Sequence, residues 1–503
     1  MKPFAAAAVA VLLLQVQARP GFDVAEQSIP QLTAALDSGA TTSHALVQAY
    51  LDRIAAFDHA GPALNAIIAL NPRALADADA MDAERRAGKR RGPLHGIPLV
   101  VKDNYDTADM PTTAGSIALK GSRPARDAFQ VKKLREAGAI IIGKTNLHEF
   151  ARGITTVSSL GGQTLNPYDL TRNPGGSSGG TGAAVAADFA AAGLGTDTCG
   201  SIRYPAAHNN LVGLRPTMGL SSRSGIIPLA HSQDVGGPLA RTVVDVAILL
   251  DATAGADPDD PVTRDADAHR PASYRAALDA GALRGARIGV LHALFGDEPE
   301  DQRVGSVVCT ALAAMAQRGA QLIDLDDGPF PSEADVSVIR YEFKFDLDDY
   351  LRRTPGAPVR SLADIVQRHL VLPALQTSFE RANEIATLDS DDYRAARQRQ
   401  AALRARLVKL LDDHRLAALA YPTLRRTAAK IGEPQTGGNC AASAATGLPA
   451  ITVPAGFADD GMPVGLELLG RDFTEKDLLT LAYAFEQATH ARRAPIFVKK
   501  GWN

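Results

Sequence analysis

The sequence predicts an α/β protein with a largely parallel or mixed sheet. Short apolar runs that suit buried strands alternate along the chain with segments of helical periodicity. The composition is that of an ordinary globular chain, because 46% of the 503 residues are hydrophobic and 22% are charged. The sequence has no internal repeat and no low-complexity linker, so it shows no clear domain boundary.

The first half of the chain supplies helices and strands in turn. Periodicity and apolar runs predict these elements: helices over 31–57, 72–87, 129–137, 183–192 and 243–254, and strands over 95–102 and 139–142.

The second half continues the alternation. A strand is expected over 287–291, a helix over 307–318 and a strand over 321–325. The stretch 257–415 is richer in charge and contains a long polar helix near 393–412, so we interpret it as a variable cap region. A strand over 465–469 and a helix opened by the capping-box pattern Thr474-x-x-Asp477 complete the chain.

The net charge and the N-terminal segment indicate which partners the protein would bind and where it would be located. The net charge of −3 provides no basic field for nucleic acid. The N-terminus has a lysine, an apolar run and small residues at a cleavage position, so residues 1–18 are predicted to be a signal peptide before a mature domain over 22–503. We therefore expect an exported protein, periplasmic or secreted. The apolar run is shorter than the ~20 residues that span a bilayer, so no stable membrane insertion is expected.

Cysteines are few and widely spaced. Cys199, Cys309 and Cys440 form no C-x-x-C pair, which argues against a zinc or haem site. An odd, sparse set also does not suggest a disulfide framework. The sequence thus predicts free, mostly buried thiols.

Two serine-bearing glycine turns carry the strongest chemical signal. Residues 173–182 read N-P-G-G-S-S-G-G-T-G, and residues 195–203 read G-T-D-T-C-G-S-I-R. Glycine turns let backbone N–H groups point at a ligand, since no Cβ blocks the approach. Together with Lys102, which ends an apolar run, these turns contain what is needed to activate a nucleophile and bind an oxyanion.

Two other interpretations of the glycines are weaker. Residues 138–145 match the phosphate-loop pattern G-x4-G-K-[ST], but their Ala-Ile-Ile-Ile centre belongs in a strand rather than in a turn around an anion. Residues 175–179 contain G-x-S-x-G, yet turn formers precede them where a nucleophile elbow requires a strand. The late histidines His414 and His490 lie in helical patterns and are poor candidates for a triad.

The third interpretation is a serine amidohydrolase with a lysine base. Lysine ordinarily has a pKa of ~10.4, and burial among apolar residues lowers it by up to ~3–5 units. A neutral Lys102 could then accept a proton from a hydroxyl. The alternative role for Lys102 is an ion pair with Asp103.

Taken together, the motifs resemble those of the amidase signature family. The resemblance runs from about residue 29 to 493 and is densest over 173–217. Flanking matches are G-P-L-H-G-I-P-L-V-V-K-D-N, G-A-I-I-I-G-K-T-N-L-H-E-F-A, A-A-T-G-L-P-A-I-T-V-P-A-G and P-V-G-L-E-L-L-G-R. The resemblance implies a single large α/β domain in which helices surround a twisted mixed β-sheet.

The resemblance also implies a Ser-Ser-Lys triad. Lys102 would be the base, Ser177 the bridging residue after a cis peptide bond, and Ser201 the nucleophile that forms the acyl-enzyme. Ser178 would support the turn. The oxyanion hole would be formed by the backbone N–H groups of Thr198, Cys199, Gly200 and Ser201, and Asp197 with Arg203 would brace that loop. The family usually has glycine where this chain has Cys199, which leaves the shape of the turn open.

The implied function is hydrolysis of a carboxamide C–N bond with release of ammonia or an amine. The substrate would be a small-molecule or peptide amide, and the layout is most similar to peptide amidase-like enzymes. No metal or organic cofactor and no nucleic acid partner is expected, and the protein would be a monomer or homodimer. The alternatives are an amidotransferase A-type subunit, an ester hydrolase that uses the same triad, and a catalytically silent binding subunit.

Overall fold

The computed structural model describes residues 22–325 and 328–500, apart from the side chains of residues 499 and 500. The predicted signal peptide lies outside these residues and stays a prediction. The strands are β1 Ile67–Leu70, β2 Pro98–Lys102, β3 Ile140–Thr145, β4 Val157–Ser158, β5 Gly162–Gln163, β6 Ala192–Asp197, β7 Val212–Arg215, β8 Val235–Ala240, β9 Arg287–Leu291, β10 Gln321–Leu325, β11 Ala418–Pro422, β12 Ala450–Phe457 and β13 Pro463–Leu469.

Helices cover this framework and vary widely in length. They are α1 Ile29–Ser38, α2 Ser43–Phe57, α3 Ala74–Arg86, α4 Phe129–Glu136, α5 Gly179–Ala186, α6 Arg203–His208, α7 Val243–Thr253, α8 Ala266–His269, α9 Pro299–Gln317, α10 Glu333–Val336, α11 Ile339–Arg353, α12 Leu362–Gln367, α13 Gln376–Asn383, α14 Asp391–Asp413, α15 Ala441–Ala444, α16 Glu475–Thr489 and α17 Ile496–Lys500.

One large mixed sheet organises the described residues. Its eleven strands lie in the order β1-β3-β2-β6-β8-β7-β12-β13-β11-β9-β10, and β4 pairs with β5 in a separate hairpin. Strand β2 is parallel to both β3 and β6, and β9 is parallel to β10 and β11, whereas the remaining neighbours are antiparallel. The predicted single α/β domain with a mixed sheet surrounded by helices is confirmed.

The centre of the sheet is fully buried, which fits its sequence. Strands β2, β3, β6 and β8 have no exposed residue, as expected for strands covered on both faces. Residues 138–145 form a turn and strand β3, which is incompatible with the phosphate-loop interpretation.

Some boundaries differ from the prediction. The single helix expected over 31–57 is two helices, because Gly39 has a left-handed conformation (φ 73°) that ends α1. Helix α5 begins four residues before position 183 and ends at Ala186. The capping box predicted at Thr474 does not form, since its hydroxyl donates to the Arg471 carbonyl at 2.8 Å.

Residues 257–415 contribute to the sheet as well as to its cover. Strands β9 and β10 belong to the main sheet, while helices α11–α13 pack on a second apolar cluster. Phe150, Phe343 and Phe379 meet edge to face within that cluster. The idea that the whole stretch acts as a cap stays a prediction.

Candidate active site

The topology brings the predicted base and the two glycine turns to one edge of the sheet. Strands β2 and β6 are parallel neighbours, so Lys102 at the end of β2 lies beside the end of β6. The carboxyl ends of parallel strands are the usual position of ligand sites in open α/β sheets. The Lys102 Nζ atom lies 2.7 Å from the Ser177 Oγ atom and 2.7 Å from the Thr196 Oγ1 atom.

Lys102 is fully buried, and its surroundings favour the neutral amine. Burial lowers its pKa to about 7, against the opposing effects of the Asp197 and Asp234 carboxylates. The alternative ion pair with Asp103 does not form, because Asp103 pairs with the buried Lys144 at 3.0 Å. Lys102 is therefore free to interact with hydroxyl groups.

The turn that carries Ser177 is tied closely to β6. The Gly176–Ser177 peptide bond is cis, as the resemblance implies. A side chain at Gly176 would not fit, since its Cβ would lie 2.7 Å from the Ile154 carbonyl carbon. The Ser178 hydroxyl donates to the Thr196 carbonyl at 3.2 Å and accepts from the Thr196 N–H at 3.3 Å, which holds the turn against the strand.

Ser201 lies on the adjoining turn. Its carbonyl accepts a hydrogen bond from the Ser178 N–H at 3.2 Å, so the two serine-bearing turns touch through their backbones. The residue is 4% exposed, and its hydroxyl makes no hydrogen bond to any residue that the structure describes. The structure thus joins Lys102 to Ser177 directly and holds Ser201 next to them.

The turn over 198–201 presents free backbone N–H donors, but one fewer than the family resemblance implies. Within the described chain, the N–H groups of Thr198, Cys199 and Ser201 have no acceptor. The Gly200 N–H donates to the Asp197 Oδ1 atom at 2.8 Å. The expectation that Gly200 is a free oxyanion donor is therefore corrected, because this N–H is used to hold the turn.

Asp197 is the centre of a buried charge network. Its carboxylate accepts from the Ile202 N–H at 3.1 Å, from Arg203 Nε at 3.1 Å and from Arg215 Nη1 at 3.0 Å. The two guanidinium groups outweigh the effect of burial and hold the pKa of Asp197 well below its usual range. Arg203 also donates to Glu467, so the loop is anchored to strand β13.

The cysteine prediction is wrong for two of the three residues. Cys199 and Cys440 form a disulfide with a Cα–Cα distance of 5.0 Å, across 241 residues of sequence. Cys309 is a free, exposed thiol. Sequence spacing gave no sign of the bond, because the fold alone brings α15 next to the turn.

The cysteines also bear on metal binding. In the described part of the chain, the one group of three Cys, His, Asp or Glu ligand atoms close enough to share an ion is Cys199, Glu333 and Cys440. Because the two sulfur atoms are bonded to each other, they offer no thiolate pair.

A small cavity adjoins the site next to Thr196, one of the two hydroxyl residues that Lys102 contacts. Its lining includes Asn104, Thr196, Thr198, Ile226, Ile227 and Leu229. The Asn104 amide donates to the Thr196 hydroxyl at 3.1 Å, which fixes the second hydroxyl that Lys102 contacts. Asn104 and Thr196 were not singled out from the sequence, although both belong to motifs that were.

No helix among residues 22–325 and 328–500 has the length and apolar character needed to cross a bilayer.

Comparison with known proteins identifies the family to which the chain belongs. The family model described as Amidase matches residues 45–479. The peptide amidase of Stenotrophomonas maltophilia is 43% identical with a TM-score of 0.86, over 94% of this chain and 99% of that one. A protein named "Probable amidase" from Arabidopsis thaliana is 35% identical over 96% of this chain and 94% of its own. A glutamyl-tRNA(Gln) amidotransferase subunit from a Synechococcus strain is 37% identical over 90% of each chain. The chain therefore belongs to the amidase signature family of amide hydrolases.

Proposed function

We propose that this protein hydrolyses carboxamides through an acyl-enzyme on Ser201, with Lys102 as base and Ser177 as the bridging hydroxyl. The observation that carries the proposal is the 2.7 Å contact between Lys102 Nζ and Ser177 Oγ. The lysine is fully buried, and its pKa is lowered to about 7, so the amine can accept a proton at neutral pH.

The proposed steps follow the order of the contacts. Lys102 Nζ takes the proton of Ser177 as Ser177 takes the proton of Ser201, and Ser201 Oγ attacks the amide carbon. The free N–H groups of Thr198, Cys199 and Ser201 would bind the developing oxyanion, where loss of one donor typically costs ~10²–10³ in rate. The relay returns a proton to the leaving nitrogen, and water then cleaves the ester.

Peptide amides are the substrates we propose first. The support is the similarity to the Stenotrophomonas maltophilia peptide amidase, which covers nearly the whole of both chains. Aryl and alkyl amides, and esters on the same triad, are secondary candidates.

The test combines turnover with active-site labelling. Ammonia release from a panel of N-acetylated peptide amides, anilides and fatty amides is expected for at least the peptide amides. Ser201→Ala should abolish both turnover and labelling by a fluorophosphonate probe, whereas Ser306→Ala, an exposed serine on α9, should keep both. Labelling that persists in Ser201→Ala would show that the nucleophile is wrongly assigned.

An amidotransferase component is the second candidate, because the Synechococcus amidotransferase protein is 37% identical to this chain. Such a component would depend on partner chains for its physiological reaction. Efficient turnover of peptide amides by the isolated chain, with little turnover of glutamine, would favour the amidase. The reverse preference would favour the amidotransferase component.

We also propose that the protein is exported. The proposal is supported by the predicted signal over 1–18 and by the Cys199–Cys440 disulfide, since such bonds persist mainly in oxidising compartments. Fractionation of cells that produce the full chain, with N-terminal sequencing of the product, tests it. A cytosolic product that retains residue 2 would argue against export.

A further inference from the structure

The turn that presents the three free N–H groups is held on two sides by non-covalent contacts. On one side, the Asp197 carboxylate binds the N–H groups of Gly200 and Ile202. On the other, the Tyr204 ring lies against Gly200 so closely that a Cβ there would be 2.6 Å from the ring. Gly200 has a φ of +84°, a conformation that a side chain would strain in any case.

Cys199 adds a covalent contact at the middle of this turn. It stands between Thr198 and Gly200, and its own N–H is one of the three free donors. Its sulfur is bonded to Cys440, which is fully buried at the start of α15. The bond lies in a small apolar cluster with Tyr204 and Leu424.

Tyr204 joins the same two segments without a covalent bond. Its hydroxyl accepts the Cys440 N–H at 2.8 Å, and its own N–H donates to the Gly200 carbonyl at 2.7 Å. The disulfide and Tyr204 therefore both connect the donor turn to the start of α15. Two parallel connections to one short turn restrict its backbone far more than either could alone.

We propose that the Cys199–Cys440 disulfide is a positioning element for the oxyanion turn, and that the hydrolytic rate depends on it. The inference rests on the proposed function, because it assigns the Cys199 N–H to the oxyanion. Donors stabilise a transition state only when they already point at the developing charge, so freedom in the turn lowers kcat more than substrate affinity. Cys440 supplies none of the three oxyanion N–H groups and acts only through its bond to Cys199.

Reduction should release this restraint in a defined way. The thiolate of a small dithiol would attack the sulfur of Cys199, the partly exposed residue of the pair, because Cys440 is fully buried. Cys440 leaves as a thiolate and takes up a proton, and the second thiol of the reagent then displaces Cys199 as the reagent becomes a cyclic disulfide. The enzyme gains two thiols and the reagent loses two.

Variants of the distal cysteine test the proposal, with Cys309→Ala as the matched control because that thiol is free and exposed on α9. In Cys440→Ala we expect kcat for an N-acetylated peptide amide to fall about tenfold or more while KM stays within about twofold. Fluorophosphonate labelling should be slower by a similar factor but still reach completion. Cys199→Ala and the double variant should match Cys440→Ala, because all three remove the same bond.

A purely structural disulfide would give a different pattern. In that case Cys440→Ala would lower the midpoint of thermal unfolding but leave kcat and the labelling rate, measured well below that midpoint, at the parental level. This outcome would overturn the proposal.

Reduction and reoxidation keep the test independent of whether the variants fold. In the Cys309→Ala background, dithiol treatment should lower kcat by the same factor and reoxidation should restore it. Unchanged kcat in enzyme that mass spectrometry shows to be fully reduced would refute the proposal. If the oxidised parent does not turn over any amide, the proposed function has failed rather than the positioning role.

Discussion

The buried amine of Lys102 makes the pH dependence of catalysis a direct test of the site. With a pKa of about 7, the neutral fraction is about one tenth at pH 6, one half at pH 7 and nine tenths at pH 8. If the neutral amine is the base, kcat/KM should rise about tenfold between pH 6 and pH 8 and be level above pH 8. A lysine with the ordinary pKa of 10.5 would instead give a rise of about a hundredfold over the same interval, without a plateau below pH 10.

The assay must isolate the lysine from other groups. An N-acetylated peptide amide is suitable, because a free α-amino group titrates near ~8. Burial also raises the pKa of Asp106 and that of Glu486 to about 7. Asp106→Asn and Glu486→Gln are therefore measured in parallel, and in both variants kcat/KM should still rise with a midpoint near pH 7. A flat profile from pH 6 to pH 8, or a climb that continues through pH 9, would refute a neutral lysine base.

The burial of Lys102 also affects the stability of the folded state, and Lys144, a second buried lysine, serves as the comparison. The lowered pKa of Lys102 means that the unfolded chain binds its proton more tightly between pH 7 and 10.5, so this group destabilises the folded state increasingly as pH falls through that window. Because a pKa of about 7 lies well below the ordinary 10.5, the folded state loses roughly 4 kcal/mol between pH 10.5 and pH 7. Lys102→Met should therefore be inactive without loss of unfolding free energy in urea. Lys144→Met should lose about 3–5 kcal/mol, because it leaves Asp103 buried without its partner.

Three further changes test the surroundings of the site. Asp197→Asn should lower the free energy of unfolding by about 3–5 kcal/mol and abolish turnover, since Arg203 loses a buried partner; near-normal urea unfolding would contradict this. Thr196→Val should lower kcat because it removes a hydroxyl bonded to the base, while Thr196→Ser keeps that hydroxyl and should keep most activity; equal rates in the two would argue against the contact. Gly200→Ala should impair both folding and turnover because its Cβ would overlap the Tyr204 ring, and a fully active, equally stable variant would show that the turn is looser than described.

Local sequence predicted much of the framework because burial and periodicity act over short distances. Strand β9 has the predicted bounds Arg287–Leu291, and β10 has the predicted bounds Gln321–Leu325. Helix α5 begins at Gly179, four residues earlier than the sequence predicts. Three of the residues 179–182 are glycines, which are poor helix formers and therefore give no helical signal. The packing explains them, because a Cβ at Gly180 would lie 2.2 Å from the Asn146 carbonyl oxygen.

The site was predictable as a set of residues but not as a set of contacts. Lys102, Ser177 and Ser201 were identified through motifs, yet their proximity depends on the parallel pairing of β2 with β6. Two contacts could not be predicted: the Gly200 N–H that donates to Asp197, and the bond from Cys199 to a residue 241 positions away. Asp197 is expected to brace the turn, but the sequence does not say which N–H it accepts, and no short-range pattern encodes the bond between the two cysteines.

The span of the Cys199–Cys440 bond also determines what a single backbone cut can do. Strands β7–β11 and helices α6–α14 all lie between the two cysteines, so the bond closes a covalent ring around them. A protease that nicks any loop inside the ring produces two fragments that stay linked and migrate as one band until a thiol is added. A nick in the charged segment over 257–415 would therefore leave strands β11–β13 covalently attached to the fragment that carries Lys102 and both serine turns.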